Sequence, residues 1–324
     1  MILHDQSVSL HDSIADPASR RDTPGARVIR FVMGPTEGHA AAIFRVCLGL
    51  LAMWQALQAL LNVERYFGPH AMIDSALAQG PIARLGAVSF APSSIGYLYG
   101  LGGLLMFAGL MVALGVWPRL FAALVAYLHI SFQLRNPYIV NAADLLFGIV
   151  CVLSIAMPLG KVGAVRSRER AGTVWGQRLV GIQVCFVYLI TAIQKVSHEV
   201  WQDGTALRYV FKSPLLAEWP ADISAPWIIA PLTYGTLVFE FAFPILVWTR
   251  LRRWLLAAGT IFHVGIDITT RIPLFSVLMI SSYAVFLSDD EARRLYEFVR
   301  FRRRRRASDH RSEQADQRTG EDAR

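Results

Sequence analysis

Long apolar runs alternate with short polar connections along most of the chain. A helix needs about 20 apolar residues to cross a hydrocarbon core of about 30 Å, and eight runs come close to this length. They cover residues 41–63, 94–115, 119–135, 139–158, 179–195, 228–248, 254–270 and 272–288, with boundaries good to a few residues. None shows the alternating period of a membrane β-barrel strand. The pattern predicts an all-α membrane protein, a polytopic bundle of about eight transmembrane helices.

Polar segments flank the apolar region on both sides. We expect residues 1–40 to form a polar cytoplasmic segment without a signal peptide, and 41–288 to form the multi-span domain. Residues 289–324 are expected to be a basic, disordered cytoplasmic tail containing "FRRRRR" at 301–306. That arginine run fits a cytoplasmic anchor after the last span, and the alternative is binding to anionic lipid headgroups. Membrane lipids are the expected partner, and nucleic acid is not.

Composition and charge agree with this topology. The chain is 54% hydrophobic and 17% charged, whereas soluble domains carry about 25% charged residues. If the N-terminus is inside, 24 of the 32 Lys and Arg residues fall in inner segments. Because Lys and Arg in short loops stay on the cytoplasmic side, we predict that both termini are cytoplasmic and that residues 196–227 face outward. The net charge of +8 then reflects topology.

Ionisable side chains inside the apolar runs are candidates for function, because a charge near the bilayer centre costs at least about 2.5–3.5 kcal/mol. Besides Arg45, which is expected to snorkel inward, they are His129, Glu240 and His263 near the centre and Asp144, Lys195 and Asp267 in the outer half. The structural alternatives are neutral histidines hydrogen-bonded between helices and, for Glu240, a protonated carboxyl or an interhelical hydrogen bond. We predict that Glu240 and His263 face the bundle interior and interact, directly or through water.

A polar cluster, "QLRNPYIVNAAD" at 133–144, connects the third and fourth runs. Pro137 cannot continue a helix, and the residue before a proline favours extended geometry, so a tight turn is expected. This turn brings together Arg135, Asn136, Asn141 and Asp144. They form either an Arg–Asp contact with a cap for the next helix or the wall of a polar cavity that opens outward.

The stretch "TAIQKVSHEVWQDGTALRYV" at 191–210 follows the fifth run. Lys195 ends the run, Trp201 is an interfacial aromatic residue, and the turn at Asp203 and Gly204 starts a short helix. Lys195 is either a snorkelling lysine or a base whose pKa is lowered by desolvation. In the second case we expect Trp201 and the turn to fold the short helix over it as a lid.

The order of six segments adds a resemblance to a known family. In this chain they are "RVCLGLLAMWQAL" at 45–57, "RNPYIVNAAD" at 135–144, "MPLGK" at 157–161, "VYLITAIQKVSHEVWQDGTAL" at 187–207, "FEFAFPILVW" at 239–248 and "FHVGID" at 262–267. Over about residues 40–290 the set resembles the HTTM (horizontally transferred transmembrane) domain family, the bacterial relatives of the vitamin K-dependent γ-glutamyl carboxylase. The resemblance implies a multi-pass protein of a bacterial inner membrane.

The resemblance also implies a chemistry. In the carboxylase, a lysine base deprotonates reduced vitamin K, oxygen converts the hydroquinone to an epoxide, and the base so formed drives carboxylation of a peptide glutamate. Lys195 is the closest match to that lysine, although the carboxylase has a lysine pair and this chain has Gln194, Lys195 and Val196. Gln133 stands where many relatives carry a histidine before the turn. These departures from the carboxylase pattern put glutamate carboxylation itself in doubt.

Three classes of function follow. The first is a quinone-dependent oxygenase or carboxylase-like enzyme with Lys195 as base and Glu240 and His263 lining its outward-facing cavity. Its expected cofactor is a reduced, vitamin K-like quinone, with a peptide as a possible substrate and no metal. The second is a non-catalytic accessory protein for maturation or export of a secreted peptide. The third is an electron-transfer protein with His129 and His263 as haem ligands, which lacks the repeated histidine pairs that such proteins carry.

Overall fold

A computed structural model of the 324-residue chain describes residues 23–69, 71, 94–167, 169, 172–272 and 274–299. Within these ranges the backbone forms helices joined by short connections, and the only β contacts are isolated bridges. The predicted all-α class is therefore confirmed. The first part of the predicted N-terminal segment and the 301–306 arginine run lie outside the described residues.

Chain order gives twelve α-helices in the described ranges. They are α1 (Pro24–Met33), α2 (His39–Leu61), α3 (Ile95–Leu114), α4 (Pro118–Arg135), α5 (Ala142–Ser154), α6 (Trp175–Val196), α7 (Glu199–Gln202), α8 (Ala206–Lys212), α9 (Pro226–Leu246), α10 (Arg252–Thr269), α11 (Phe275–Ser282) and α12 (289–299). A π-helical turn (Val63–Phe67) extends α2, a 3₁₀ turn (Pro137–Ile139) precedes α5, and another (Tyr283–Phe286) follows α11.

Every predicted span coincides with a helix, but the helices differ in length. Four of them, α2, α3, α6 and α9, are long and apolar enough to cross a membrane. The others are α4 and α10, of 18 residues each, and the shorter apolar helices α5 and α11, the latter continued by its 3₁₀ turn. The structure therefore supports a multi-span helical bundle, and the number of eight spans stays a prediction.

Small residues allow α2 and α3 to pack closely. A Cβ atom added to Gly49 would lie 2.5 Å from the backbone nitrogen of Ala113 and 2.6 Å from the carbonyl oxygen of Gly109. Lipid gives helices no hydrophobic reason to associate, so close backbone approach between small residues supplies van der Waals contact instead. This pair forms one side of the bundle, and α6 with α9 forms another.

One end of the bundle holds two helices that the sequence did not predict. The helix α1 lies within the segment expected to be polar, yet it exposes Val28, Ile29, Phe31 and Met33. The helix α12 occupies 289–299, where a disordered tail was expected. It forms because Ser288 and Glu291 cap each other, with the Ser288 N–H donating to the Glu291 carboxylate at 2.8 Å and the Glu291 N–H donating to the Ser288 hydroxyl at 3.3 Å.

Two hydrogen bonds show which helix ends lie together at the same end of the bundle. The Thr36 hydroxyl donates to Asp289 at 2.8 Å, which joins the start of α12 to the connection between α1 and α2. At the opposite end, the Glu218 N–H donates to the Thr269 carbonyl at 2.9 Å, which joins the long 213–225 connection to the end of α10. The end of α6 that carries Lys195 lies at this same end of the bundle, with the 213–225 connection.

Candidate functional site

The candidate site follows one face of α6. Tyr188 and Lys195 are seven residues apart, which is two helical turns, or about 10.5 Å along the axis. Both side chains therefore lie on the face of α6 that contacts α9, where Lys195 meets Glu240 and Tyr188 meets Phe243. Tyr188 is buried and Lys195 is partly exposed at the helix end. The face thus presents polar groups from the bundle interior to the end of α6 that carries Lys195.

Lys195 forms an ion pair with Glu240 on α9. The Glu240 side chain is 5% exposed and that of Lys195 is 24% exposed, so the pair is buried at its acidic member and reachable at its basic member. Only one carboxylate oxygen of Glu240 is used: the other, Oε2, is buried without a hydrogen-bond partner among the described residues. The pair therefore has a free acceptor atom inside the protein.

Deeper along α6, Tyr188 connects two further helices. Its hydroxyl lies 2.7 Å from Nε2 of His263 on α10 and also contacts the hydroxyl of Tyr283 after α11. His263 is fully buried, and its Nδ1 has no hydrogen-bond partner among the described residues. Aromatic rings enclose the group, with Phe243 4.3 Å and Phe239 5.4 Å from the Tyr188 ring, measured between centroids. Water is thereby excluded from this hydrogen-bonded group.

Glu240 and His263 both lie inside the bundle, where the sequence placed them. Their hydrogen-bond partners, however, are both on α6: Lys195 for Glu240 and Tyr188 for His263. Their predicted direct or water-mediated interaction stays a prediction. Tyr188 and Tyr283 were not predicted as site residues, although the seven-residue spacing between Tyr188 and Lys195 is a signal for a shared helix face.

The segment after α6 covers the lysine. The Trp201 ring centroid lies 5.2 Å from the Lys195 Nζ, within the range of a cation–π contact. Asp203 accepts hydrogen bonds from the Thr205 hydroxyl at 2.6 Å and the Thr205 N–H at 2.9 Å, and these bonds hold the pKa of the Asp203 carboxyl below its usual range. Gly204, at φ +78°, packs against Tyr234 of α9. The turn thus positions Trp201 and orders the start of α8 without contacting the ion pair.

A separate polar cavity of about 500 Å³ lies between α2, α4 and α5. Its polar lining consists of Gln55, Gln58, Asn62, Tyr66, His129, Gln133, Asn141 and Asp144. The Gln55 amide donates to Asp144 at 2.7 Å. His129 Nε2 lies 3.0 Å from the Asp144 carbonyl oxygen and 2.7 Å from the Gln133 amide nitrogen, and its tautomer decides which of them it bonds. The residues that α2 contributes to this cavity were not predicted from the sequence.

The four residues proposed for the turn at 133–144 divide into two pairs. Asn141 and Asp144 line the cavity and form a capping box at the start of α5, which confirms the predicted cap. Arg135 and Asn136 instead hold the turn after α2: the Arg135 Nε donates to the Phe67 carbonyl at 2.8 Å and the Asn136 amide to the Tyr66 carbonyl at 3.0 Å.

The remaining candidates lie apart from the Lys195 pair. Asp267 is exposed on α10, and no hydrogen bond or ion pair joins it to Lys195 or Glu240 in the described part of the chain. The two histidines considered as haem ligands have separate surroundings, His129 beside Asp144 and His263 beside Tyr188. Across the described residues, no group of three or more His, Cys, Asp or Glu side chains is arranged to hold a metal ion.

The sequence matches the HTTM domain over residues 33–290, which is most of the chain and includes every helix from α2 to α11. The chain belongs to the HTTM family. In this HTTM protein the membrane-like helices and the family assignment agree on a multi-pass integral membrane protein.

Two relatives of this HTTM protein come from Bacillus subtilis (strain 168). The chain is 31% identical over 117 residues to sporulation-delaying protein SdpB, an alignment that covers 34% of this chain and 36% of SdpB. It is 20% identical over 210 residues to the uncharacterized protein YitO, covering 59% of this chain and 67% of YitO. The chain thus aligns with only about a third of the length of SdpB. No solved structure matches it.

Proposed function

We propose that this HTTM protein is a membrane-embedded enzyme in which Lys195 acts as a base toward a reduced quinone, at a site open to the outer side of the membrane. The observation that carries the proposal is the Lys195–Glu240 pair, which is buried at Glu240 and partly exposed at Lys195 and leaves Glu240 Oε2 unpartnered among the described residues. Removing two charges from water is costly, and apolar side chains often join helices at least as well. An ion pair at such a place is therefore a candidate for proton transfer.

The pair can supply a neutral amine without an outside base. When the Lys195 ammonium donates one proton to the Glu240 carboxylate, both groups become neutral, and a low-dielectric surrounding favours neutral over charged groups. The free amine can then accept a hydroxyl proton from a bound substrate. The net result is one proton moved from the substrate to the pair: Glu240 holds the proton that Lys195 gave up, Lys195 holds the proton of the substrate hydroxyl, and the substrate is left as an oxyanion.

The residues fit a hydroxyl-bearing aromatic ligand. Glu240 Oε2 would accept a hydroxyl hydrogen bond, and the Trp201 ring beside Lys195 would contact an aromatic ring. A reduced quinone supplies electrons for reaction with oxygen when bound. The contribution of the chain is to receive the hydroxyl proton at Lys195, to exclude water with the aromatic residues around Tyr188, and to cover the lysine with Trp201.

A non-catalytic accessory role is the second candidate, and a specific observation favours it. The same polar contacts tie helices together, since Lys195–Glu240 joins α6 to α9 and Tyr188 joins α6 to α10 and to the end of α11. They are therefore also explained as structural links. The name of SdpB refers to delayed sporulation and not to a reaction, so the similarity to SdpB fits the accessory role as well as it fits the enzymatic proposal.

The substitution Lys195→Arg separates the two candidates, because a guanidinium keeps the charge and the link to Glu240 but cannot act as a base. Oxygen uptake with the hydroquinone of vitamin K is measured on the purified full chain in liposomes. We expect turnover in the wild type and a loss of about 100-fold or more in the variant. Lys212→Arg is the matched control, since this exposed lysine pairs with Asp222 at 3.1 Å, away from the site.

Turnover in Lys195→Arg at the wild-type rate would exclude the enzymatic proposal. Absence of turnover in the wild type with vitamin K, menaquinone and ubiquinone hydroquinones, together with no quinone in a mass-spectrometric extract of the purified protein, would favour the accessory role. Intact folding of Lys195→Arg with lost activity is the result that supports the proposal.

A further inference from the structure

At the end of the bundle opposite Lys195, the connection between α9 and α10 places arginines between two tryptophans. The sequence there is "WTRLRRW" at 248–254. Its side chains enclose a concave site of about 760 Å³, lined by Trp248, Thr249, Arg250, Arg252, Arg253 and Trp254. This site lies outside the candidate site at Lys195 and serves no purpose in the proposed reaction.

The charges of this arginine–tryptophan site are only partly neutralised. Arg252 and Arg253 share one carboxylate, that of Glu291 on α12, with Arg252 Nη2 2.7 Å from its Oε2. Burial raises the pKa of Glu291, but hydrogen bonds from Ser288 and Arg253 outweigh this effect and hold it at about 2, so the carboxylate is ionised at neutral pH. Arg250 is exposed and has no ion-pair partner among the described residues. Three guanidiniums therefore face one negative charge.

One further donor is free inside the site. The Nε of Arg252 is buried and has no hydrogen-bond partner in the described part of the chain. Buried donors are nearly always paired, so this unpaired N–H leaves the hydrogen bonding of Arg252 incomplete beside a positively charged concavity. The geometry of guanidinium groups suits the oxygens of a phosphate.

The neighbouring helix α1 extends the site with an apolar surface. The Arg178 guanidinium of α6 lies over both the Phe31 and the Trp248 rings, 4.1 Å and 5.3 Å from their centroids, and its Nε donates to the Phe31 carbonyl at 3.1 Å. These contacts hold α1 beside the arginines while leaving Val28 and Ile29 62% and 66% exposed. A short amphipathic helix with basic residues is typical of one that lies in a membrane interface.

We propose that the arginine–tryptophan site binds the phosphate headgroup of an anionic phospholipid. The apolar rim selects a lipid over a soluble phosphate: Trp254 is 78% exposed and Leu251 is 52% exposed beside the arginines. Tryptophan is enriched at the level of lipid headgroups. The phosphate contacts the guanidiniums of Arg250, Arg252 and Arg253, and the acyl chains lie along Trp254 and the exposed face of α1. This inference does not depend on the proposed function.

Native mass spectrometry of the detergent-purified full chain tests the site with phosphatidylglycerol and phosphatidylcholine. We expect the wild type to prefer phosphatidylglycerol and the double variant Arg250→Gln/Arg253→Gln to bind it about 10-fold more weakly. The control is Arg208→Gln/Arg271→Gln, which removes the same charge from exposed arginines at the opposite end of the bundle. Glu291→Gln keeps a polar partner for Ser288 but removes the competing charge, so it is expected to strengthen phosphatidylglycerol binding.

Each result decides the proposal. Equal binding of the two lipids by the wild type, or an equal loss in both double variants, would show that the arginines contribute only general charge and would overturn it. Displacement of phosphatidylglycerol by equimolar glycerol 3-phosphate would overturn it in favour of a soluble phosphate ligand. Both substituted arginines are exposed, and unchanged melting temperatures of the variants confirm that they fold.

Discussion

At the scale of single residues, Arg45 shows how a buried charge in a span can be structural. It is 2% exposed, and its guanidinium donates to the carbonyl oxygens of Leu159 at 2.8 Å, Val162 at 3.0 Å and Gly163 at 2.9 Å. The Arg45 guanidinium thus attaches the connection between α5 and α6 to α2. This arrangement differs from a snorkelling arginine, which would place its charge in water.

We expect Arg45→Met to destabilise the protein by at least about 3 kcal/mol, because hydrogen bonds to charged groups contribute about 1.5–3 kcal/mol each and the carbonyls are left without donors. Reversible unfolding in mixed micelles measures the change. Arg45→Lys keeps the charge but has a single nitrogen, so an intermediate loss is expected. Equal stability of wild type and Arg45→Met would contradict this structural role.

The sequence predicted which residues are buried in the site better than it predicted their partners. Glu240 and His263 were expected inside the bundle because a charged or polar group in a long apolar run must turn away from lipid. Their partners depend on the rotation of α6 about its axis, which is set by packing against α9 and α10. Periodicity within one nearly uniform apolar helix carries little information on that rotation, and so Tyr188 and Tyr283 were missed.

At the scale of helices, the close approach of α2 and α3 is a testable element of the fold. Gly49→Leu places a side chain where even a Cβ would lie 2.5 Å from the Ala113 nitrogen. The two helices must separate, and a loss of about 3 kcal/mol or more is expected. Gly103→Leu on α3 is the matched control, because nothing lies within 4 Å of its Cβ position. Folded yield and melting temperature in detergent measure both; similar values for the two variants would exclude this packing.

Helix boundaries were predictable where local chemistry decides them. The start of α5 follows from Asn141 and Asp144, whose capping box is a local pattern. The helices α1 and α12 were not predicted because each is short and packs through contacts distant in sequence, such as Phe31 with Trp248 and Thr36 with Asp289. Contacts of this kind form only when the fold brings these helices to the same end of the bundle. The local capping pair of Ser288 and Glu291 was a signal for the start of α12 that the prediction did not use.

At the scale of the whole molecule, the described basic residues counted as cytoplasmic in the sequence gather at one end of the helical bundle. The arginines of α1, of the α9–α10 connection and of α12 lie at one end, and Lys195 lies at the other end with the 196–227 segment. This agreement supports the predicted orientation, with the arginine-rich end in the cytoplasm. The orientation itself stays a prediction, because the fold is compatible with insertion from either side.

Cysteine labelling in intact cells tests the orientation. Ser224→Cys and Thr249→Cys introduce thiols at exposed positions of the opposite ends, in a chain whose Cys47, Cys151 and Cys185 are replaced by alanine. A membrane-impermeant maleimide should label Ser224→Cys in intact cells and Thr249→Cys only after permeabilisation, because the second thiol faces the cytoplasm. The cysteine-free chain gives the background, and labelling of both after permeabilisation shows that both thiols are reactive. The reverse pattern in intact cells would place the Lys195 site on the cytoplasmic side and the arginine–tryptophan site in the outer leaflet, and the predicted topology would be wrong.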